Sequence, residues 1–214
     1  MRAVRDYNGF IKAKKGYQMY RFYLAAVDLL PGILILAPVY LALNKVYFHN
    51  IGKSFCYFLF SCYLSVVYVL VGMPNVTYIR PEVNLNLLPF IGMIDDWKNG
   101  ILNILLFVPL GMMMPILWNS FRTQKNALLF GFGTSLAIEL LQMLTFRATD
   151  VNDLITNTLG AYLGFLCTNF LLQKKPIKAV GKNNETAIVV SVVLLVMFFV
   201  YPFVSSSFWD YILT

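Results

Sequence analysis

The amino-acid sequence predicts an all-α integral membrane protein: a bundle of about five transmembrane helices with an N-terminal helical hairpin, or with a sixth span in its place. Hydrophobic residues make up 59% of the 214 residues and charged residues only 13%, whereas a soluble domain carries about 25% charged residues. The mean hydropathy is +0.68. The apolar residues also form long runs. Because backbone groups in lipid must be hydrogen-bonded within their own segment, these runs are predicted to be helices.

Four of the runs contain no acidic or basic residue, and each is about long enough to cross the roughly 30 Å hydrocarbon core. They are Phe55 to Met73, Ile101 to Trp118, Leu154 to Leu172 and Ala187 to Val204. A fifth run, Ala127 to Leu144, is interrupted only by Glu139. We expect all five to be transmembrane helices.

A sixth apolar stretch, Tyr17 to Phe48, is interrupted by Asp28 and by Pro31-Gly32. We expect a hairpin in which Tyr17 to Leu30 enters the membrane, Pro31-Gly32 turns and Ile33 to Phe48 returns, because proline starts a helix well and glycine permits a turn. The hairpin places fourteen of the 17 basic residues on one side of the membrane and three on the other. Six full spans would give no such bias. Since basic loops are retained in the cytoplasm, the side with fourteen is predicted to be cytoplasmic.

The chain is predicted to form one membrane unit. Residues 1–16 are a basic cytoplasmic segment, residues 17–204 the bundle, and residues 205–214 a short tail. Residues 74–100 and 145–153 are then extracytoplasmic. The net charge of +7 lies in short loops, where anionic lipid headgroups attract it. We therefore expect membrane lipids as partners and no nucleic acid.

Six residues of one polar stretch, residues 139–157, form a candidate set. They are Glu139, Gln142, Arg147, Asp150, Asp153 and Asn157. Glu139 lies roughly 7.5 Å inside its predicted helix end, where an ionisable group is costly unless it is paired or hydrated. Asn103, one turn inside the helix that begins at Ile101, belongs to the same membrane face. We expect these side chains to line one pocket that opens to the outer surface.

Simpler structural roles are open for most of this set. Asp150 can cap the next helix with Asp153 in its first turn, and Arg147 can pair with Asp150 or anchor at the headgroups. Asn103 and Gln142 can link helices without any ligand. The acid inside the membrane helix is explained by neither capping nor solvation, so we expect it to have a functional or network role.

Small residues predict how these helices pack. Gly131 and Ser135 share a face with Glu139, and Gly160 and Gly164 share a face of the next helix. We expect the two faces to pack together, because the G-x-x-x-G spacing permits close backbone approach.

No metal site or cofactor is predicted. No His or Cys lies near the acids in the sequence, so zinc is not expected, although carboxylate oxygens would suit a hard divalent cation. The loop from Pro74 to Gly100 mixes polar and apolar residues, as in a segment along the membrane interface. It is either a lid over the pocket or a connector.

Three residue blocks recur together in an order and spacing typical of one family. They are N-x-x-x-F-x-P-x-G at Asn103, Phe107, Pro109 and Gly111, E-x-x-Q at Glu139 and Gln142, and D-x-x-x-N-x-x-G at Asp153, Asn157 and Gly160. With NLNLLPF at residues 84–90, they resemble the VanZ-like family over about residues 80–172. Arg147 and Asp150 also match. The resemblance implies a small multi-pass protein of the bacterial cell membrane, linked with resistance to glycopeptides of the teicoplanin type.

The resemblance supplies no mechanism, and three hypotheses are open. The first, which we favour, is a non-enzymatic factor whose outer-face pocket binds an envelope component or the lipid-anchored antibiotic. The second is a membrane enzyme acting on a lipid-linked cell-wall precursor, with Glu139 or Asp153 as acid or base and Arg147 holding phosphate. The third is a lipid or proton-coupled transporter, for which a charge nearer the midplane and an inverted repeat are expected.

Overall fold

The structure is a computed structural model that describes residues 30–81, 85–86, 88–90, 97–145 and 149–213. Within them the helices are α1 (Leu30–Phe48), α2 (Ile51–Leu70), α3 (Trp97–Leu117), α4 (Gln124–Gln142), α5 (Val151–Lys174), α6 (Glu185–Leu195) and α7 (Tyr201–Leu213). π-Helical turns end α1 at Asn44–Phe48 and join α6 to α7 at Val196–Val200, and a 3-10 turn, Asn119–Arg122, precedes α4. The strands β1 (Leu85–Asn86) and β2 (Thr149–Asp150) pair in parallel.

Five helices are long and apolar enough to cross a membrane: α1, α2, α3, α5 and the continuous helix formed by α6 and α7. The predicted all-α membrane bundle is thereby confirmed. Four of the five correspond to predicted spans. The fifth is α1, which is long and apolar enough to span, whereas α4, which covers the predicted span Ala127 to Leu144, is not. α4 has 19 residues, but its polar first turn and Glu139 lower its hydropathy. It lies antiparallel to α5, with Glu139 beside Asp150 and Gly131 beside Ala161.

The position of the predicted N-terminal turn is wrong. Pro31 and Gly32 are helical, and α1 runs 19 residues from Leu30 to Phe48. Proline is compatible with the first turn of a helix, where its missing N–H is not needed, so this pair does not oblige the chain to turn. A Cβ on Gly32 would be in ordinary contact with α2 and with the turn between α6 and α7. The other arm of the predicted hairpin, up to residue 29, and the basic segment 1–16 lie outside the described residues.

The closest helix contact is between α3 and α5, which run parallel. A Cβ on Gly160 would lie 2.3 Å from the carbonyl oxygen of Ile104, and one on Gly164 would lie 2.0 Å from that of Val108. Gly111 makes the reciprocal contact from α3 to α5. The G-x-x-x-G pair therefore packs against α3, and not against α4 as the sequence suggested. The reason is that backbone meets backbone at α3, while α4 meets α5 through side chains.

The bundle has two ends. At the carboxylate end, α2 and α4 finish while α3 and α5 begin, and Glu139, Asp150 and Asp153 lie there. At the Lys53 end, α2, α4 and α6 begin while α3 and α5 finish. Of the residues that the sequence placed on one membrane face, Asn103, Glu139, Asp150 and Asp153 lie at this end.

A proline in α7 helps to hold the loop after α2. Pro202 has no N–H to donate to the carbonyl of Phe198, four residues earlier. The Phe198 oxygen accepts the N–H of Val76 instead, at 3.1 Å. The loop is thus fixed to the last helix close to the carboxylate end.

Candidate functional site

Two loop segments meet over the carboxylate end. The N–H of Arg80 donates to the carbonyl of Leu144 at 2.8 Å, and β1 pairs with β2 so that Asn86 stands opposite Asp150. The chain after α2 is therefore hydrogen-bonded to the chain between α4 and α5. This places the loop across the helix ends and excludes a connector that hangs free of the bundle.

Glu139 is the buried acid of this end. It is 2% exposed, and its Oε2 accepts the backbone N–H of Asp150 at 2.9 Å. Its own carbonyl accepts the hydroxyl of Thr149 at 3.0 Å. A carboxylate that accepts a backbone N–H offsets part of the cost of burial. Glu139 therefore joins α4 to the start of α5.

Asp150 has a capping role and a second contact. It is the N-cap of α5, with Oδ1 accepting the N–H of Asn152 at 2.8 Å. Its Oδ2 accepts the side-chain amide of Asn86 at 3.0 Å. Capping alone therefore leaves one of its contacts unexplained, since the second oxygen holds the β1 segment.

Asp153 and Asn103 link the two parallel helices. The amide nitrogen of Asn103 donates to Asp153 Oδ1 at 2.8 Å. Asp153 stands in the first turn of α5 and Asn103 in the second turn of α3. The two therefore form an interhelical hydrogen bond at the level of the carboxylates.

Asn157 lies one turn deeper than Asp153 on α5. It is 3% exposed, and its Nδ2 donates to the hydroxyl of Ser135 on α4 at 3.1 Å. Its Oδ1 is buried, and no described group donates to it. Polar packing between α4 and α5 thus continues below the acids and ends at an unsatisfied acceptor.

Two further residues of the predicted set are Gln142 and Arg147. The amide of Gln142 donates to the carbonyl of Val71 at 2.7 Å, so Gln142 ties α4 to the end of α2. Arg147 lies outside the described residues. Of the predicted motif residues, Phe107 and Gly111 are buried in α3, where Pro109 is also helical.

Phe90 is an exposed aromatic residue with strained backbone. Its φ of 66° lies in the left-handed region, which is unusual for a bulky residue. Its N–H donates to Asn152 Oδ1 at 2.7 Å, and its side chain is 66% exposed. Leu88 and Trp97 are exposed as well. Apolar side chains therefore project from the same loop that covers the acids. We call these three residues the apolar rim.

Sequence reasoning missed Asn86 and Asn152, which hold the loop to the start of α5. The alternation of asparagine and leucine in NLNLL was the available signal for a short strand, because strand side chains alternate between two faces.

A second polar group, at the Lys53 end, was also missed. Lys53 Nζ lies 2.7 Å from Glu185 Oε1, and the Tyr57 hydroxyl donates to Glu185 Oε2 at 2.6 Å. The N–H of Lys182 donates to the same oxygen. The signal for Glu185 was its isolation directly before an apolar run, and Lys53 was read only as a loop charge.

The described part of the carboxylate end shows no cluster of metal ligands. In the part of the chain that the structure describes, no three His, Cys, Asp or Glu side chains are grouped to hold a metal ion. A groove of about 470 Å³ lies elsewhere, between α1 and α2, and its walls are almost wholly apolar. The described side chains of the carboxylate end are joined by hydrogen bonds, and the predicted pocket there stays a prediction.

The match of this chain to a known family covers the helices that build the site. A family model described as VanZ/LLP1 matches residues 55–172, more than half of the 214 residues. The chain belongs to this family. Protein VanZ of Enterococcus faecium is 30% identical over 123 residues, which are 55% of this chain and 71% of that protein. No solved structure matches.

The VanZ/LLP1 match includes all of α3 and α4 and nearly all of α5. Every described residue of the carboxylate-end contacts therefore lies inside it. Lys53 and Glu185 both lie outside it. The ion pair of the second polar group is thus built from the segments that flank the matched region, whereas Tyr57 lies within it.

Proposed function

We propose that this chain lowers the sensitivity of its cell to glycopeptide antibiotics of the teicoplanin type. It does so without chemistry, by binding the lipid-anchored antibiotic or an envelope component at the carboxylate end. In this proposal that end faces the outside of a bacterial cell membrane, because the opposite end carries eight of the ten basic residues that the structure describes. The family membership of the chain supports the resistance part of the proposal.

The observation that carries the binding part is the burial of Glu139. An acid that is 2% exposed inside a membrane bundle costs stability and is retained for a reason other than packing. Glu139 meets Asp150, which in turn contacts Asn86 of the covering loop. The buried acid is therefore connected to the outer surface through a short series of hydrogen bonds, and a ligand on that surface can act on it.

The apolar rim supports a ligand that is partly lipid. Phe90, Leu88 and Trp97 expose apolar side chains next to polar groups, which is the composition expected of a site for an amphipathic molecule at the membrane interface. The left-handed backbone at Phe90 is held by Asn152. Such local strain is typical of functional segments. The rim would contact the apolar part of such a ligand, and the neighbouring polar groups would contact its polar part.

The test is growth of a susceptible Gram-positive strain that expresses the chain, measured over a series of teicoplanin concentrations. We expect the wild type to raise the concentration that stops growth, and Glu139→Gln to return it to that of cells with an empty vector. The glutamine oxygen can still accept the Asp150 N–H, so this variant removes the charge and leaves the hydrogen bond.

Gly133→Ala is the matched control on the same helix. A Cβ at Gly133 meets nothing within 4 Å, so this variant should accumulate and protect like the wild type. Membrane fractions probed for an epitope tag would report accumulation. Full protection by Glu139→Gln at normal accumulation would refute a functional role for the buried acid.

A further inference from the structure

The interior between α4 and α5 holds a hydrogen-bond acceptor that lacks a donor. Asn157 Oδ1 is buried, and none of the described residues donates to it, while Nδ2 of the same side chain is used by Ser135. Native proteins leave few buried polar atoms unsatisfied, since each costs the free energy of its lost hydration. A bound molecule with an O–H or N–H group that reached this atom would supply the donor that the described residues lack.

We propose that Asn157 Oδ1 is the inner end of the ligand site, and that it accepts a hydrogen bond from a hydroxyl group of the ligand. The ligand class is a lipid-anchored molecule with a neutral, hydroxyl-rich headgroup, such as a sugar. The proposal rests on the proposed function and deepens it, because it names the chemistry that the site at the carboxylate end recognises.

The neighbouring charges favour such a headgroup over a phosphate. Asp153 stands one turn above Asn157 on α5, and Glu139 stands one turn above Ser135 on α4, at about 6 Å in each case. A phosphate that reached Asn157 would pass two acids and meet an amide oxygen, all of them acceptors. Hydroxyl groups can donate to all three.

The amide donors of the site are already engaged. Asn103 donates to Asp153, Asn86 to Asp150, and Asn157 to Ser135. The carboxylates of Glu139, Asp150 and Asp153 and the amide oxygen of Asn157 make this end rich in acceptor oxygen. A headgroup with several O–H donors complements this surface, and a choline headgroup, which has none, does not.

The experiment uses the full chain in phosphatidylcholine vesicles that contain a small fraction of glucosyl diacylglycerol or phosphatidic acid with the same acyl chains. Lipid bound to the protein is counted by native mass spectrometry. A separate experiment adds teicoplanin to the vesicles. Comparison with the glucosyl lipid shows whether the bound sugar is carried by an envelope lipid or by the antibiotic. We expect the wild type to retain the glucosyl lipid or teicoplanin, in preference to phosphatidic acid. Retention of phosphatidic acid above both would overturn the proposal without any variant.

The variant is Ser135→Ala combined with Asn157→Leu, which removes both polar partners and leaves no unsatisfied atom. We expect it to accumulate and to bind the retained ligand roughly tenfold more weakly, as for the loss of one buried hydrogen bond. Thr168→Val is the matched control, because it removes a buried hydroxyl that donates to Met112 three turns deeper on α5. Unchanged binding by the double variant would refute the proposal.

The same cells and vesicles separate this inference from the proposed function. If Glu139→Gln abolishes protection while the double variant keeps both protection and ligand binding, the inner acceptor is structural and the proposed function stands. If both variants protect fully, the proposed function is wrong. If the double variant does not accumulate, the inference is tested by the wild type alone. It is then refuted if the wild type retains phosphatidic acid above the glucosyl lipid and teicoplanin.

Discussion

The ammonium group of Lys53 lies 2.7 Å from the carboxylate of Glu185, joining the start of α2 to the start of α6. The two side chains are 14% and 4% exposed. The carboxylate also accepts the hydroxyl of Tyr57, whose ring stacks on Trp118. The start of α2, the start of α6 and the end of α3 therefore meet at one largely buried ion pair at the Lys53 end.

Removal of one partner of this pair should be costly. Lys53→Met leaves the Glu185 carboxylate without its cation, and we expect a loss of about 3 kcal/mol or more of unfolding free energy. Replacing both partners, with Lys53→Met and Glu185→Leu, should recover much of that loss, because no charge is then buried alone. Thermal unfolding in detergent, followed by circular dichroism, would measure both. A single variant as stable as the wild type would contradict the buried geometry.

The contact between α3 and α5 should not tolerate a methyl group. Gly164→Ala places a Cβ 2.0 Å from the carbonyl oxygen of Val108, and backbone cannot move aside as a side chain can. We expect a loss of about 3 kcal/mol. Gly133→Ala, with open space at its Cβ, should be neutral or more stable by about 0.5–1 kcal/mol. Equal unfolding temperatures for the two variants would show that the helices are farther apart.

Phe90 should matter through its ring. Phe90→Gly relieves the positive φ but removes the apolar side chain, so the protein should accumulate normally and protect poorly against teicoplanin. Phe90→Leu restores apolar area and should recover part of the protection. The growth assay measures the protection given by each variant, and the amount of protein in the membrane fraction shows whether a loss of protection reflects poor accumulation. Full protection by the glycine variant would exclude the apolar rim from the site.

The sidedness of the bundle can be read from two exposed positions. Lys45 and Thr77 lie beyond opposite ends of α2. In a background without native cysteines, Thr77→Cys should react with a membrane-impermeant maleimide added to intact cells, and Lys45→Cys only after lysis. The reverse pattern would put the carboxylate end in the cytoplasm and would remove the basis for an extracellular ligand.

The sequence alone predicted the helical class and the meeting of polar residues at one end, because both follow from one-dimensional patterns. Apolar runs specify spans, and alternating spans bring the start of α3, the end of α4 and the start of α5 together. Asn103 and Asp153 could be assigned to the same depth for this reason, although their hydrogen bond could not be predicted.

What the sequence did not reveal depends on contacts between distant segments. The partner of Gly160 and Gly164 is α3 rather than α4, and spacing alone cannot tell which neighbour a small face meets. The pairing of Lys53 with Glu185 spans more than half the chain. Pro31-Gly32 resembles a turn signal, yet it is helical, because proline suits an early helical position as well as a turn.

The parallel course of α3 and α5 has an electrostatic consequence. Each helix carries roughly half a positive charge at its N-terminus, from the aligned dipoles of its peptide groups. Both N-termini lie at the carboxylate end, beside Asp150 and Asp153. The fields of two adjacent helices therefore add where the acids gather. This positive potential is a property of the backbone arrangement, which substitutions in the surrounding loops would leave in place.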